Sequence, residues 1–197
     1  MSTAKDSSGG RVAIRSYLVQ TLVALLDIAQ ADPPFTEITL EPAHANDQFD
    51  FVWNSLNGDF AVQVKSTINE FSLPQVKRLA EKMLEARDTE ECRIVLVGDC
   101  HQKLKKVDEI DGVAIEKRNL DLTGLFNQAA HLVGRFLEDQ NIDPATPSEH
   151  ELIAEGVVTR LLRYSTTREK FTRDAFITLL RTWVSGWRNS SAVSDRC

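Results

Sequence analysis

Cysteine is scarce in this chain. Cys92, Cys100 and Cys197 are the three present among 197 residues, and they lack the paired spacing that frames a disulfide-stapled domain or a zinc knuckle. Reduced thiols are the simplest reading. The four histidines, His44, His101, His131 and His150, are scattered, and no two have the helical spacing of a zinc site. A phosphate loop is also missing: Ser7-Ser8-Gly9-Gly10 lacks the Lys-Ser/Thr ending and follows no strand. No apolar stretch is expected to approach the roughly 20 residues that cross a bilayer, and MSTAKDSSGG carries no apolar signal segment. These absences predict a cytoplasmic protein with no membrane partner. Repeats and low-complexity tracts are absent too.

The formal charge is -6, which argues against a generic nucleic-acid coat, but it is unevenly spread. From Glu151 onward eight Lys/Arg stand against five Asp/Glu, leaving -9 for the residues before it. Such a basic C-terminal segment suits either a solvated helical face or a contact to a polyanion. The length suits one domain with a sizeable core and an appended helical piece. The expected divisions are a mobile start at 1–8, an α/β domain over 9–144, a helical extension over 145–190 and a polar tail at 191–197.

Patterning supplies the order of elements. RVAIRSYLVQTLVALLDIAQ places Ile14, Leu18, Leu22, Leu25 and Ala29 at helical period. Pro33-Pro34 ends that helix, and FTEITLE reads as a strand with Ile38 and Leu40 on one side and Glu37, Thr39 and Glu41 on the other. SLPQVKRLAEKMLEARD predicts a helix with Ser72 as N-cap, Pro74 in the first turn, and Leu79, Met83 and Ala86 inward. CRIVLVGD is an apolar strand. HQKLKKVDEI is ambiguous, GVAIEKR a short strand and LTGLFNQAAHLVGRFLEDQ a helix. Two further helices, near 149–163 and 168–187, carry caps of the Thr172 or Ser148 type. Trp183 and Trp187, beside Arg181 and Arg188, suggest a packing stripe or a partner surface. The fold class is therefore α/β, a mixed sheet in which a helix precedes a three-strand meander and a helical crossover leads to a parallel fourth strand.

Between the first strand and that crossover lies QFDFVWNSLNGDFAVQVKS. Asn57-Gly58 predicts a two-residue hairpin loop. That loop pairs Trp53 with Val62, Phe51 with Val64, Val52 with Gln63 and Asp50 with Lys65. One face, Phe51, Trp53, Val62 and Val64, belongs to a core. The other gathers Asp50, Gln63 and Lys65. Two readings stand for that polar face. It is a cross-strand ion pair on a solvated surface, or it is a site in which Asp50 serves as an oxygen ligand for Mg²⁺ with the carbonyl of Val64 and the amide of Gln63 beside it. In the second reading Lys65 is a point charge beside a water or a phosphate, and Glu41 is the available second acid.

The order of these residues resembles the PD-(D/E)XK nuclease superfamily, with an acid in the second strand, a hairpin, and Gln63-Val64-Lys65 in the third, within an αβββαβ core. The glutamine variant is similar to Mrr-like restriction nucleases and to N-terminal nuclease domains of bacterial anti-phage effectors, which share Gly9-Gly10, a Tyr17 to Gln20 element, Glu41 and Asp50. The resemblance spans about residues 9 to 120. It implies Mg²⁺-dependent (or Mn²⁺-dependent) cleavage of DNA, with Asp50 as metal ligand, Lys65 as the catalytic lysine, Gln63 replacing the usual acid, Glu41 auxiliary and Gln20 a helix-borne site residue. Since duplex DNA presents two strands, a homo-oligomer assembled through the C-terminal helices is expected, or else a sensor or NTPase as partner or fused domain. Asp47 competes with Asp50 for the ligand role. A module that keeps the fold without catalysis and binds a partner is the alternative.

Overall fold

The structure, a computed structural model, describes residues 8–42, 48–86, 89, 91–142 and 146–194. In chain order the elements are α1 (Ser8–Gln30), β1 (Phe35–Leu40), β2 (Phe51–Ser55), β3 (Gly58–Ser66), α2 (Leu73–Glu85), β4 (Glu91–Val97), α3 (Gln102–Lys105), β5 (Glu109–Ile110), β6 (Val113–Arg118), α4 (Leu122–Asp139), α5 (Pro147–Thr167), β7 (Lys170–Thr172) and α6 (Arg173–Ser194). The strands form one seven-stranded sheet in the order β5-β6-β4-β3-β2-β1-β7. The β3–β4 and β4–β6 pairs are parallel and the others antiparallel. This is a mixed α/β fold compatible with a restriction-endonuclease-like architecture. It contains the expected run from a first helix through a meander to a crossover by α2 into β4.

Alternation along the strands gives the sheet two buried faces. Phe51, Trp53, Val62, Val64, Val95 and Val97 pack with α1, α4, α5 and α6. On the reverse, Ala61, Ile94 and Leu96 meet α2. That helix buries Val76, Ala80 and Met83, a stripe turned from the expected one, so that Leu79 and Ala86 flank it. Ser72 occupies the N-cap position without a side-chain cap bond.

Several expectations are corrected. α1 was expected to turn a single stripe inward, but Leu22 to Leu26 and Ile28 are all buried, whereas Ile14 is 70% exposed. Its C-terminal half is enclosed by the sheet and neighbouring helices, while its N-terminal half projects past them. The stretch Val12–Gln30 is also long and apolar enough, by length and composition, to cross a membrane, contrary to expectation. Half of it is buried inside the fold, which fits a core helix. β7 was not foreseen. Its three residues pair with β1 and bring Phe171 against Phe176 and Tyr164. The cap of α5 is Thr146 in a capping box with Glu149, not Ser148; Thr172 does cap α6, accepting from Ala175 N at 3.2 Å. α6 runs through Ser194, into the segment expected as tail. Trp183 packs partly buried against the first core, over Gly156, where an added Cβ would lie 2.8 Å from its ring.

The hairpin register differs from the expected one by two residues. Ser55 pairs with Gly58, Trp53 with Phe60 and Phe51 with Val62, so the loop is Leu56-Asn57. A mirror-image loop at Asn57-Gly58 needs positive φ at both residues, but only Gly58 has it, at +136°. Ser55 closes the turn instead, its Oγ accepting from Asn57 N at 3.0 Å. A shift of two preserves which face each side chain takes, so the core face stands. The consequence is a stacked Trp53–Phe60 pair, centroids 4.1 Å apart.

A partly buried charge cluster ties α1 to the parallel strands. Asp27 contacts Arg93 and lies 3.6 Å from Arg118, and Glu116 holds Arg93 at 2.9 Å and Arg118 at 2.5 Å. Burial pushes the Asp27 carboxyl up to about 6, against the pull of Arg93 and then Arg118.

Candidate active site

Asp50 immediately precedes β2, and its backbone is fixed from both sides: Glu41 N donates to Asp50 O, and Asp50 N donates to Val62 O, each at 2.9 Å. Its carboxylate is anchored as well. Oδ1 accepts from Gln20 Nε2 of α1 at 2.6 Å, and Oδ2 accepts from Val64 N of β3 at 2.5 Å. Asp50 is 8% exposed. The two bonds explain how a buried carboxylate is tolerated, since an unpartnered one would be far more costly. Burial raises its pKa, while the Lys65 charge and the Val64 amide pull it down.

Continuing the observed register places Asp50 level with Gln63, not with Lys65 as expected. Nor do Asp50 and Lys65 form an ion pair on a solvated face: the carboxylate is buried, and Lys65 forms no ion pair within 4.0 Å among the described residues. Lys65 is half-buried, one residue beyond the amide that holds Asp50. Gln63 is buried, and its Oε1 has no hydrogen-bond partner among the described residues. An orphaned acceptor of this kind calls for a donor or a cation.

Glu41 is not a strand residue facing outward from β1. It lies one position past the end of that strand, with φ +48°. Its backbone is joined to Asp50, which places the residue beside the site. Asp47 and His44 lie outside the described residues. Gln20, expected from the resemblance, is positioned by its bond to Asp50. Tyr17 lies one turn before it on the same helix.

Among the described residues no group of three or more His, Cys, Asp or Glu side chains is placed to hold a metal ion. A divalent cation here would rest on the Asp50 carboxylate, amide oxygen and water, a donor set that suits Mg²⁺, which takes one or two protein carboxylates and keeps several waters. The orphaned Gln63 Oε1 fits that set.

The fold defines a mixed-sheet α/β protein with a buried acid, an amide and a lysine at the rim of β3. No family model and no curated protein sequence matches the chain. Among solved structures it is similar to the Acinetobacter baumannii Cap4 SAVED/CARF-domain containing receptor with the cyclic trinucleotide 3'3'3'-cAAA, at 11% identity and a TM-score of 0.56. The match covers 94% of this chain and 48% of that one, so the chain spans about half the length of that receptor. A fainter likeness, TM-score 0.34 and 15% identity over 78% of this chain and 37% of the other, is to the DNA modification-dependent restriction endonuclease AspBHI. The first likeness bears on the fold alone.

Proposed function

We propose that this chain is a metal-dependent DNA endonuclease of the PD-(D/E)XK type, serving as the effector module of a bacterial anti-phage system in the cytoplasm. The observation that carries the reading is the Asp50 carboxylate, buried and pinned between Gln20 and the Val64 amide, with Lys65 forming no ion pair and Gln63 Oε1 no hydrogen bond among the described residues. A structural ion pair would have joined the acid to the lysine.

Asp50 and Gln63 would hold Mg²⁺ or Mn²⁺, with the Val64 carbonyl and Glu41 as further ligands. The cation would supply Lewis-acid activation of water and neutralise charge on the scissile phosphate. Gln20 fixes the rotation of the Asp50 carboxylate, so the ligand is oriented before substrate arrives. Lys65 favours the ionised form of Asp50. Its ammonium would also stand beside the phosphate, where it stabilises the negative charge that develops as the nucleophile attacks.

The half-length likeness to a cyclic-trinucleotide receptor supports an effector controlled by a sensor, either fused to it or acting as a partner. Self-association would let two sites act on the two strands of a duplex. The rival is a non-catalytic module that keeps the fold to bind a partner, favoured by the glutamine at the third-strand acid position. Incubation of labelled single- and double-stranded oligonucleotides with Mn²⁺ separates the two. Cleavage by the wild type and its loss in Asp50→Asn supports the nuclease; cleavage by neither supports the binding module.

A further inference from the structure

Beside the candidate site lies a cleft of about 780 Å³ between the projecting end of α1 and the last turn of α5, within the ~300–1,000 Å³ typical of ligand clefts. Ile14, Tyr17 and Leu18 line one wall, Leu162 and Arg168 the other, and Glu41 the end nearest Asp50. Tyr17 is 48% exposed, and among the described residues its ring stacks on no other aromatic ring. Arg168 is exposed and forms no ion pair among them. Nearby hydroxyls are occupied, Ser165 and Thr166 each donating to a backbone carbonyl of their own helix at 2.7 Å.

The backbone sets this cleft apart. Four described non-glycine residues have positive φ, and two of them, Glu41 (+48°) and Arg168 (+56°), line it. Arg168 caps α5 in a left-handed conformation, its N–H donating to Tyr164 O at 2.8 Å. Glycine is the usual residue at that position. Here an arginine occupies it and places a cation at the mouth of an apolar, aromatic-lined cleft.

An uncommitted aromatic ring, an apolar floor and an unpaired guanidinium together form the elements that hold single-stranded nucleic acid: a base on the ring and a phosphate on the cation. Continuity with the Asp50 site through Glu41, which lines the cleft and whose N–H donates to Asp50 O, points to the strand that enters that site. We propose that this cleft binds an unpaired nucleotide of the DNA strand entering the candidate site, its base stacked on Tyr17 and its phosphate held by Arg168. The proposal rests on the nuclease reading for its choice of substrate. Duplex DNA cannot offer a base face without unstacking, so the cleft selects single-stranded or frayed substrate.

The test is fluorescence anisotropy in EDTA, comparing a mixed-sequence single strand with a blunt duplex of the same length. Tyr17→Ala is expected to weaken single-strand binding roughly 5- to 150-fold, the range of one base–aromatic stack, with little change for duplex. Tyr17→Phe retains the affinity. Arg168→Gly, which relieves the left-handed backbone and so should fold at least as well, weakens binding and flattens the salt dependence by about 0.7, one phosphate contact on a single strand. Wild type without measurable affinity for single strands, or Tyr17→Ala binding as wild type does, overturns the proposal. So does sedimentation in which wild type is a dimer and Tyr17→Ala a monomer, since the cleft is then a contact between two copies. Lys65→Ala separates the two readings. Stacking-dependent binding without any metal-dependent cleavage sinks the nuclease reading alone. Cleavage that needs Lys65, with no Tyr17 effect on binding, sinks this proposal alone.

Discussion

The Gln20–Asp50 hydrogen bond gives the sharpest quantitative expectation. Replacing Gln20 by Ala removes the 2.6 Å donor to Asp50 Oδ1 and leaves a carboxylate that is 8% exposed holding the Val64 amide alone. A hydrogen bond to a charged group contributes about 1.5–3 kcal/mol, against about 0.5–1.5 for a neutral pair. The loss should therefore be larger when Asp50 is ionised. Because burial already raises its pKa, Gln20→Ala raises it further, by about a unit for each 1.36 kcal/mol of the difference. The destabilisation is then fully present above the new pKa and shrinks as pH falls through it. Urea unfolding of both proteins at several pH values between 4 and 8 reads this directly. A loss of about 1.5–3 kcal/mol at pH 8 that narrows in acid is expected. A pH-independent difference, or none, would refute the claim that Gln20 holds the ionised carboxylate.

Two further perturbations test the fold away from the site. Asp27 is pushed up to about 6, so the folded protein binds its proton more tightly than the unfolded chain; its contribution is fully present below about pH 4 and lost as pH rises through about 6. Asp27→Asn should flatten that part of the pH–stability curve, as measured by urea midpoints. Gly58 has φ +136°, and Gly58→Ala should cost about 1–3 kcal/mol. Asn57→Ala, at a residue without positive φ, should stay within about 0.5 kcal/mol. Equal costs for the two in thermal melts would contradict the observed loop.

The parts of the fold legible in sequence were those set by periodicity. Alternation in Phe51, Trp53, Val62 and Val64 gave the core face correctly even though the register was off by two, because face depends only on parity. The register itself turned on Ser55, whose hydroxyl closes the turn and which the Asn-Gly pattern outweighed. β7 escaped because three residues, Lys170–Thr172, are too few for a period to show. In α1 the pattern was read as one stripe because helical spacing does not reveal that α4, α5 and the sheet enclose the C-terminal half from several sides.

The candidate site was legible as a set of residue types in order, and less so as geometry. Asp50, Gln63 and Lys65 were chosen as cross-strand neighbours, but the bonds that position Asp50 come from Gln20, thirty residues earlier, and from the Val64 backbone. The first had only the resemblance to point to it, and a backbone amide carries no residue signal at all. Arg168 gave no sequence signal either. Its role depends on a left-handed helix cap that brings it to the same cleft as Tyr17.

The central claim is tested most directly by plasmid cleavage with Mg²⁺ or Mn²⁺, comparing wild type with Lys65→Ala and an EDTA control, at protein concentrations high enough for self-association. The nuclease reading predicts metal-dependent nicking or linearisation by the wild type that falls at least 100-fold in Lys65→Ala, in line with the roughly 10²–10³-fold cost of removing a group that stabilises transition-state charge. Cleavage that survives in Lys65→Ala, or persists in EDTA, would contradict it.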